Sequence, residues 1–460
     1  MKQYITTALI FGALASTLPG CVSDEREPEV TKPPVTLITL DPGHFHAALV
    51  QKNLIEGIDS NVYVYAPKGA ELDAHLKLVE QFNTRSENPT RWNEVIYTGA
   101  DFAEKMLHEK KGNVVVLSGN NKLKTKYIYQ SLDSGLNVLA DKPMAINSGD
   151  FDLLVKSFDK AKENDVLLYD IMTERSEITN ILQRELAMNK ELFGELRDGT
   201  EKDPSILFEN VHYFFKQVSG KDLIRPAWFF DAKQQGEAIA DVGTHVVDLV
   251  QWECFPDQAL DYKNDVQIIS AKTWPTTITA EQFSKVTGLD SFPDFLKEDV
   301  KNNKLNTHAN GEVNYTLKGK HVRIATKWNF QAKEGGDTHY AMLKGTKAQL
   351  VVKQGKEEKF QPTLYIYPDK TAASEFKTAV DNAIKNITST YPGITTEQTG
   401  NGFKVIIPGK YKVGHEAHFS QVMERYLTYL RNKSMPAWEV PCMITKYFIT
   451  TKAVELAGKK

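Results

Sequence analysis

The chain has 460 residues, a net charge of −3, and 41% hydrophobic and 25% charged residues. This length suffices for about two or three domains, each with its own core, and the composition is that of a globular protein. Because no long basic run accompanies the small negative charge, we expect no nucleic acid among its partners.

The N-terminus has the pattern of an export signal. Lys2 precedes a short apolar stretch that ends in Leu18-Pro19-Gly20-Cys21, which favours a secretory signal over an anchor helix. Leu-x-Gly-Cys resembles the bacterial lipobox, which implies lipidation of Cys21; an ordinary cleaved signal with an incidental cysteine is the alternative. We expect a lipoprotein signal peptide over 1–20 and a flexible tether over 21–34.

The signal predicts an exported protein. We expect it to be held by lipid at a bacterial outer membrane, on the periplasmic or cell-surface side, and to meet the membrane only through that anchor. The acidic stretch SDERE after Cys21 resembles a cell-surface tag. Cys254 and Cys442 could pair in an exported protein, and the sequence leaves this open.

From 35 to 172 short apolar runs alternate with amphipathic helical stretches. The predicted strands are VTLITL, NVYVYA, NVVVLSG, NVLADKPM and VLLYDI. The predicted helices are HAALVQKNLIEG, which ends at Gly57, GAELDAHLKLVEQFN, DFAEKMLHEKK, KTKYIYQSLDSG and SGDFDLLVKSFDKAKEND. Such alternation predicts a parallel sheet covered on both faces, a Rossmann-type domain that binds ligands at the carboxyl ends of its strands.

The pattern changes over 173–460. After the helical SEITNILQRELAMNKELFG come longer runs with period-two alternation, among them ILFENVHYFFKQ, DVQIISAKTWP and PTLYIYP, and the chain ends in two helices. We therefore predict an α/β protein: an N-terminal Rossmann-type parallel sheet domain, then a C-terminal α/β domain with a large, mainly antiparallel open sheet. The last helices could pack back on the first domain.

The first chemical motif is Ala140-Asp141-Lys142-Pro143, directly after a predicted strand. A lysine at the carboxyl end of a parallel strand lies in the ligand crevice, and Pro143 favours an extended Lys142. Lys142 could hold a substrate hydroxyl beside a cofactor. A solvated surface lysine is the alternative.

The second motif places Asp241, His245 and Asp248 at i, i+4 and i+7, on one face of a helix. A carboxylate beside a histidine suits proton transfer, while a capping aspartate with a buried histidine is the alternative. His415 and His418 could bind a metal in principle. No Cys/His cluster has the spacing of a zinc site, so we expect no metal.

Together these motifs resemble those of the Gfo/Idh/MocA oxidoreductases, the family of glucose–fructose oxidoreductase and inositol dehydrogenase. The resemblance covers most of 35–457 and includes the block NVVVLSGNNKLKTKYIYQSLDSGLNVLADKPMAI and the hairpin HYAMLKGTKAQLVV. It implies NAD or NADP as cofactor, with NAD favoured. It also implies Lys142, Asp241 and His245 as catalytic residues, with Lys142 contacting nicotinamide ribose and substrate and His245 as acid or base.

The implied cofactor site departs from the family pattern. Asp41 and His46 stand at the first and third glycine positions of G-x-G-x-x-G, so only Gly43 remains, and Ala66-Pro67 replace the acidic residue that binds the adenosine ribose. The implied cofactor-binding residues are Asp41, Pro42, Gly43, His44, Phe45, His46, Gly119, Asn120, Asn121, Asp141, Lys142 and Pro143.

The resemblance implies a sugar or glycoside as substrate, and the region before Asp241 faces the substrate in relatives; aromatic side chains with polar tips suit sugar binding. Ordinary packing is the alternative for these residues. The candidate substrate-binding residues are Tyr213, Arg225, Trp228, Asp231, Asp241 and His245.

We expect an NAD(P)-dependent oxidoreductase with a tightly bound, internally recycled cofactor, because an exported enzyme has no free nicotinamide pool. Transient oxidation of a hydroxyl could give net glycoside hydrolysis. A carbohydrate-binding lipoprotein with a degenerate nucleotide site and no catalysis is the alternative function. We also expect a homo-oligomer formed through the open sheet.

Overall fold

A computed structural model describes residues 35–218 and 221–458. The expected signal peptide, the tether and Cys21 lie outside these residues. From Val35 onward the described chain forms one compact unit. Within that part of the chain, no helix has the length and apolar character needed to cross a membrane.

The first half contains a six-stranded parallel sheet. Its strands are β1 (Leu37–Leu40), β2 (Asn61–Tyr65), β3 (Asn93–Tyr97), β4 (Val114–Leu117), β5 (Asn137–Asp141) and β6 (Leu168–Ile171). The helices between them are α1 (His46–Leu49), α2 (Ala70–Thr84), α3 (Phe102–Glu109), α4 (Lys124–Asp133) and α5 (Ser148–Glu163).

The strand order β3-β2-β1-β4-β5-β6 is that of a Rossmann-type sheet. Leu40 pairs with Leu117, and Leu117 pairs with Ala140, so β1, β4 and β5 end side by side. Their apolar side chains are almost fully buried, as expected for a parallel sheet covered on both faces. The residues that follow these three strands therefore meet at one edge.

The first helix differs from the sequence expectation. We predicted a helix ending at Gly57, and this prediction was wrong: α1 ends at Leu49, and turns follow. The carbonyls of Gln51 and Lys52 accept hydrogen bonds from the Trp92 and Arg85 side chains, at 2.6 and 2.8 Å. Because these carbonyls are committed to distant side chains, the helical hydrogen-bond ladder does not continue.

The second half begins with helices and short strands and is dominated by a second sheet. Its helices are α6 (Ile178–Met188), α7 (Ala232–Gln235), α8 (Val242–Cys254), α9 (Ala280–Thr287), α10 (Ala373–Thr390), α11 (His415–Asn432) and α12 (Glu439–Gly458). Its strands are β7 (Ile206–Tyr213), β8 (Gln217–Val218), β9 (Lys221–Asp222), β10 (Val266–Thr279), β11 (Val300–Lys301), β12 (Lys304–Leu317), β13 (Lys320–Asn329), β14 (Thr338–Lys344), β15 (Ala348–Gln354), β16 (Thr363–Pro368), β17 (Thr395–Thr399) and β18 (Gly402–Ile406).

The second sheet has the order β10-β12-β13-β7-β14-β15-β16-β18-β17, with β11 paired to β12. Only the β13–β7 pair is parallel among these pairings, so the expectation of a large, mainly antiparallel sheet is confirmed. One face carries α8 and α6 on a core that includes Phe208, Tyr315 and Leu350.

Helix α12 joins the cores of the two sheets. Met443 and Tyr447 pack with the parallel sheet, whereas Ile449 and Ala453 pack with the second sheet. Both described cysteines are free: Cys442 is buried on this helix, and Cys254 ends α8. The two halves therefore share one helix at their junction, which fixes the crevice between them.

A buried set of ion pairs, here named the charge cluster, lies at this junction. It consists of Asp170, Arg175, Asp248, Glu439 and Lys446, whose side chains are at most 3% exposed. Arg175 donates to both Asp248 carboxylate oxygens at 2.6 and 2.7 Å and to Glu439 at 3.0 Å. Lys446 lies 2.6 Å from Asp170 and 2.8 Å from Asp248.

Candidate active site

A cavity of about 810 Å³ opens between the carboxyl ends of the parallel strands and the second sheet. It is lined by eleven of the residues predicted to bind the cofactor or the substrate. These are His44, Phe45, His46, Gly119, Asn121, Asp141, Lys142, Arg225, Trp228, Asp241 and His245. Its position at the ends of parallel strands is where such folds bind ligands.

Lys142 and Asp241 form an ion pair at the centre of this cavity. The Lys142 Nζ donates to Asp241 Oδ1 at 2.6 Å, and both side chains are about nine-tenths buried. Burial opposes the charged lysine, but the carboxylates of Asp241 and Asp141 raise the pKa of Lys142. Burial also opposes ionisation of Asp241, and the nearby Lys142 lowers its pKa. The pair is therefore ionised at neutral pH.

His245 lies one turn into α8, which begins directly after Asp241. Its Nδ1 is buried without a hydrogen-bond partner among the described residues. Burial, followed by the positive charge of Lys142, lowers the pKa of His245 well below its usual value. The ring is therefore neutral at pH 7 and can accept a proton from a group in the cavity.

The turn after β1 lies where a Rossmann-type sheet carries its nucleotide loop, with altered residues. Asp41, at the first glycine position, adopts a left-handed conformation with φ of 50°, which aspartate tolerates better than most residues. Gly119 is required for a different reason. A side chain on it would collide with the Asp41 carbonyl oxygen and lie 2.8 Å from the Gly43 nitrogen. The loops after β1 and β4 therefore pack backbone against backbone.

The two loop histidines converge on Asp141 at the end of β5. His46 Nδ1 lies 3.0 Å from Asp141 Oδ2, and His44 Nδ1 lies 3.4 Å from the same oxygen. The Ser118 hydroxyl donates to this oxygen at 3.0 Å. Burial, then the neighbouring His44, lowers the pKa of His46 to about 3. The carboxyl ends of β1, β4 and β5 thus together supply one compact polar cluster.

The space in front of Gly43 is taken by two side chains. A Cβ at Gly43 would lie 2.7 Å from Glu71 Oε2, 3.4 Å from Trp228 Cζ2 and 3.5 Å from the Asn120 backbone nitrogen. The Trp228 indole N–H donates to Glu71 Oε1 at 2.7 Å. Burial raises the pKa of Glu71, and the Trp228 hydrogen bond opposes this shift.

Beyond this Trp228–Glu71 bridge lies a second cavity of about 260 Å³. It is lined by the loop residues Asp41 and Pro42 and by the segment from Ala66 to Leu72. The bridge therefore divides the crevice into a large compartment with Lys142 and a small compartment at the end of β2.

Several residues predicted for the site lie elsewhere. Tyr213 and Asp231 do not line the large cavity. Asp231 instead caps α7 by accepting from the Lys233 backbone N–H at 2.9 Å. Pro143 follows Lys142 through a cis peptide bond and also lies outside the lining. Asn120 bonds Gln234 at 2.7 Å through its side chain.

Arg225 lines the cavity but is committed to packing. Its Nε donates to the Phe214 carbonyl at 2.9 Å, and its guanidinium lies over the rings of Phe229 and Trp328 at 4.6 and 5.1 Å. Burial lowers the pKa of Arg225 to about 10. Asn121 is similarly committed, since its amide donates to the Gln235 carbonyl at 2.9 Å.

Sequence reasoning missed several cavity residues. Seven of the eleven histidines line the cavity, and two of these, His212 and His339, were not predicted; the other five are His44, His46, His245, His415 and His418. His212 lies 2.9 Å from Asp337, which also accepts from Lys216 at 2.9 Å. Glu174 follows β6, and burial raises its pKa to about 7. Only the position of Glu174 after a strand could have signalled its place.

A family model described as "Putative oxidoreductase C terminal domain" matches residues 182–458. The chain is also similar to a crystal structure from Parabacteroides merdae, described as that of a "putative oxidoreductase": the two are 50% identical with a TM-score of 0.91, covering 93% of this chain and 98% of that one. Among the curated proteins compared, none matches.

More distant solved structures share the fold. A levoglucosan dehydrogenase, solved with NADH and levoglucosan, is 12% identical with a TM-score of 0.57, covering 93% of this chain and 98% of that one. A biliverdin reductase from Synechocystis sp. PCC 6803, solved with biliverdin and NADP+, is 11% identical with a TM-score of 0.56, covering 92% and 99%.

The parallel sheet, the second open sheet and the crevice between them define an oxidoreductase-type architecture. With the family match over more than half its length, the chain belongs to the Gfo/Idh/MocA-type oxidoreductase family.

Proposed function

We propose that this chain is an NAD(P)-dependent oxidoreductase that acts on a sugar or sugar derivative at the large cavity. The observation that carries this proposal is the Lys142–Asp241 ion pair at 2.6 Å, with the neutral His245 one turn farther along α8. A charged donor and an unprotonated imidazole in one cavity suit the removal of a hydroxyl proton.

The residues at the nicotinamide end fit a dinucleotide. Lys142, Gly119 and Asn121 line the large cavity at the strand ends, and Gly43 leaves a notch beside the Asn120 backbone nitrogen. Glu71 occupies this notch while it is hydrogen-bonded to Trp228. Both side chains must therefore turn away to admit a diphosphate. A bound nicotinamide would supply hydride transfer.

The chain's own residues provide the acid–base chemistry. The Lys142 ammonium donates to a substrate hydroxyl oxygen and steadies negative charge as the proton leaves. His245 accepts that proton, because its imidazole is neutral and lines the cavity. Asp241 keeps Lys142 charged and fixes its position. The reverse proton transfer from His245 completes a reduction.

A sugar fits the chemistry of this cavity best. Trp228, Phe229 and Trp328 offer flat apolar surfaces, and His212, Asp337 and Lys216 offer polar atoms around them. Sugars combine apolar faces with hydroxyl edges, which such walls contact together. The levoglucosan of the distant dehydrogenase is a ligand of this chemical class.

The recycling of the cofactor belongs to the same proposal. We propose export through the N-terminal signal and a lipid anchor at Cys21, which would hold the protein at the outer membrane. Since free nicotinamide is scarce outside the cytoplasm, the cofactor would return to its starting state in each cycle. Transient oxidation of a hydroxyl acidifies the adjacent C–H and would permit elimination of a glycosidic substituent; addition of water to the unsaturated ketone and return of the hydride would then give net hydrolysis. A homo-oligomer through the open sheet completes the proposal.

A substrate panel tests the reaction. Purified protein would be incubated with free sugars and with glycosides, without and with added NAD(P), and products would be identified by NMR in deuterium oxide. Deuterium at the carbon next to the oxidised position is expected for elimination, and a keto sugar for net oxidation. Sugar binding without any product or exchange, in the presence of added dinucleotide, would contradict the proposal.

A further inference from the structure

His44, His46 and Asp141 form a cluster whose ligand atoms are close enough together to hold a metal ion. The ligating atoms of the three residues lie within 4.8 Å of one another. His46 Nδ1 and His44 Nδ1 lie 3.0 and 3.4 Å from Asp141 Oδ2. Metal–nitrogen and metal–oxygen bonds of about 2.0–2.2 Å place neighbouring ligand atoms about 2.9–3.4 Å apart, in agreement with both distances.

An orphaned ring nitrogen points to a missing ligand at this place. His44 Nδ1 is buried and makes no well-aligned hydrogen bond to any described residue, although it lies 3.4 Å from Asp141 Oδ2. A buried polar atom without a partner costs stability, unless something else binds it. All three residues line the large cavity, so an ion held by them would be reachable from the substrate side.

The surroundings of Asp141 are those of a prepared ligand. Its Oδ2 accepts from the Ser118 hydroxyl at 3.0 Å, and such outer contacts orient metal-binding carboxylates.

Two lysines near the cluster oppose a cation. Lys142 is matched by Asp241 in their ion pair. Lys124 donates to the Asp141 backbone carbonyl at 3.1 Å rather than to its carboxylate. Among the described contacts, neither lysine forms a hydrogen bond or an ion pair with the three proposed ligand atoms.

We propose that His44, His46 and Asp141 bind one divalent first-row transition-metal ion beside the Lys142–Asp241 pair. Two imidazoles and one carboxylate select Zn²⁺, Fe²⁺ or a similar ion over Mg²⁺ or Ca²⁺. Three protein ligands leave positions for water or a substrate oxygen. The ion would bind a hydroxyl or carbonyl oxygen of the sugar. This site goes beyond the proposed function and does not depend on a dinucleotide.

The test uses Co²⁺ as the probe, because its visible absorption reports ligation. Protein cleared of metal by a chelator would be titrated with Co²⁺ in the absence of dinucleotide. We expect one Co²⁺ per chain for the wild type and for His339→Asn, a histidine substitution elsewhere in the same cavity. His44→Ala is expected to weaken binding at least about tenfold, and Ser118→Ala by about tenfold.

His46→Asn serves as a second ligand variant, and circular dichroism would check that each variant is folded. Failure of the wild type to bind Co²⁺ would overturn the proposal. Equal affinity of the wild type and His44→Ala would overturn it as well, because the ion would then sit elsewhere. Dinucleotide binding is measured separately, so its failure would leave the metal result intact.

Discussion

The charge cluster and the large cavity contain residues that are neighbours in the chain. The buried charges of the cluster are paired, whereas some polar groups of the cavity are not. Arg175 is paired on both sides in the charge cluster, whereas the preceding Glu174 lines the cavity with a raised pKa. On α8, Asp248 is held by Arg175 and Lys446, whereas His245, one turn earlier, has an unpartnered ring nitrogen. The segment Glu174-Arg175 and helix α8 thus each contribute residues to both the charge cluster and the cavity.

This difference separates stability from chemistry. Fully paired buried charges fix the junction of the two sheets, and removing one partner leaves a buried charge uncompensated. Buried polar atoms without partners do not stabilise the fold, but they are available to a ligand. Substitutions in the two regions should therefore have different signatures.

The largest expected effect is on the charge cluster. Arg175→Met leaves Asp248 and Glu439 without their shared cation, so the free energy of unfolding should fall by about 3–5 kcal/mol. Denaturant unfolding measures it. Arg91→Met, at an exposed position, is the control and should change stability by less than about 0.5 kcal/mol. A similar small change for Arg175→Met would remove the structural role of the cluster.

The second prediction concerns the cavity end of α8. His245→Asn should lower turnover of a sugar substrate at least about a hundredfold by removing the proton acceptor, with little change in the denaturant midpoint. Asp248→Asn, one turn later, should do the opposite: it should lower stability and leave the chemistry of the folded enzyme largely intact. The comparison breaks down if both variants lose stability equally.

The third prediction concerns Glu174 and pH. Burial raises its folded pKa to about 7 from 4.5, so the fold favours the protonated carboxyl. That stability is fully present below about pH 4.5 and is lost as pH rises through 7. Glu174→Gln, which cannot ionise, should therefore match the wild type at pH 4.5 and be more stable by about 1–3 kcal/mol at pH 8.5. Unfolding curves at both pH values measure this, and a pH-independent difference would refute it.

The smallest expected effect is on the Trp228–Glu71 bridge. Trp228→Phe removes the indole donor at 2.7 Å from Glu71. This destabilises the closed state, in which Trp228 and Glu71 are hydrogen-bonded in front of Gly43, by about 1 kcal/mol. A ligand that needs the open state should then bind about threefold to tenfold more tightly. Fluorescence titration with NADH or NADPH measures the affinity. Trp274→Phe on β10 is the control, and equal affinities for all three proteins would mean that the bridge does not gate the crevice.

The sequence predicted the fold classes well because their signals are periodic. Strand–helix alternation identified the parallel sheet, and period-two runs identified most of the second sheet. The sequence pattern did not predict the strand at Asn93–Tyr97 or helix α10. The length of α1 could not be predicted, because Trp92 and Arg85 bind its following carbonyls from distant parts of the chain.

The site was predictable where a residue follows a strand. Lys142, Asp241 and His245 line one cavity as the motifs suggested, although Asp241 precedes α8 instead of lying within it. Contacts that depend on the tertiary structure were not predictable. They include the position of Glu71 in front of Gly43, the contacts of Asp141 with two histidines, and the pairing of His212 with Asp337. Asp231 looked like a polar binding residue, yet its sequence position equally suits a helix cap.

The central claim is that the crevice holds a nicotinamide dinucleotide and performs redox chemistry beside Lys142. Protein purified without added cofactor would be denatured, and the supernatant assayed enzymatically for NAD(H) and NADP(H); the refolded or native protein would also be titrated with each. The account predicts close to one dinucleotide per chain, or saturable binding on addition. No released dinucleotide and no binding of any of the four forms would contradict it.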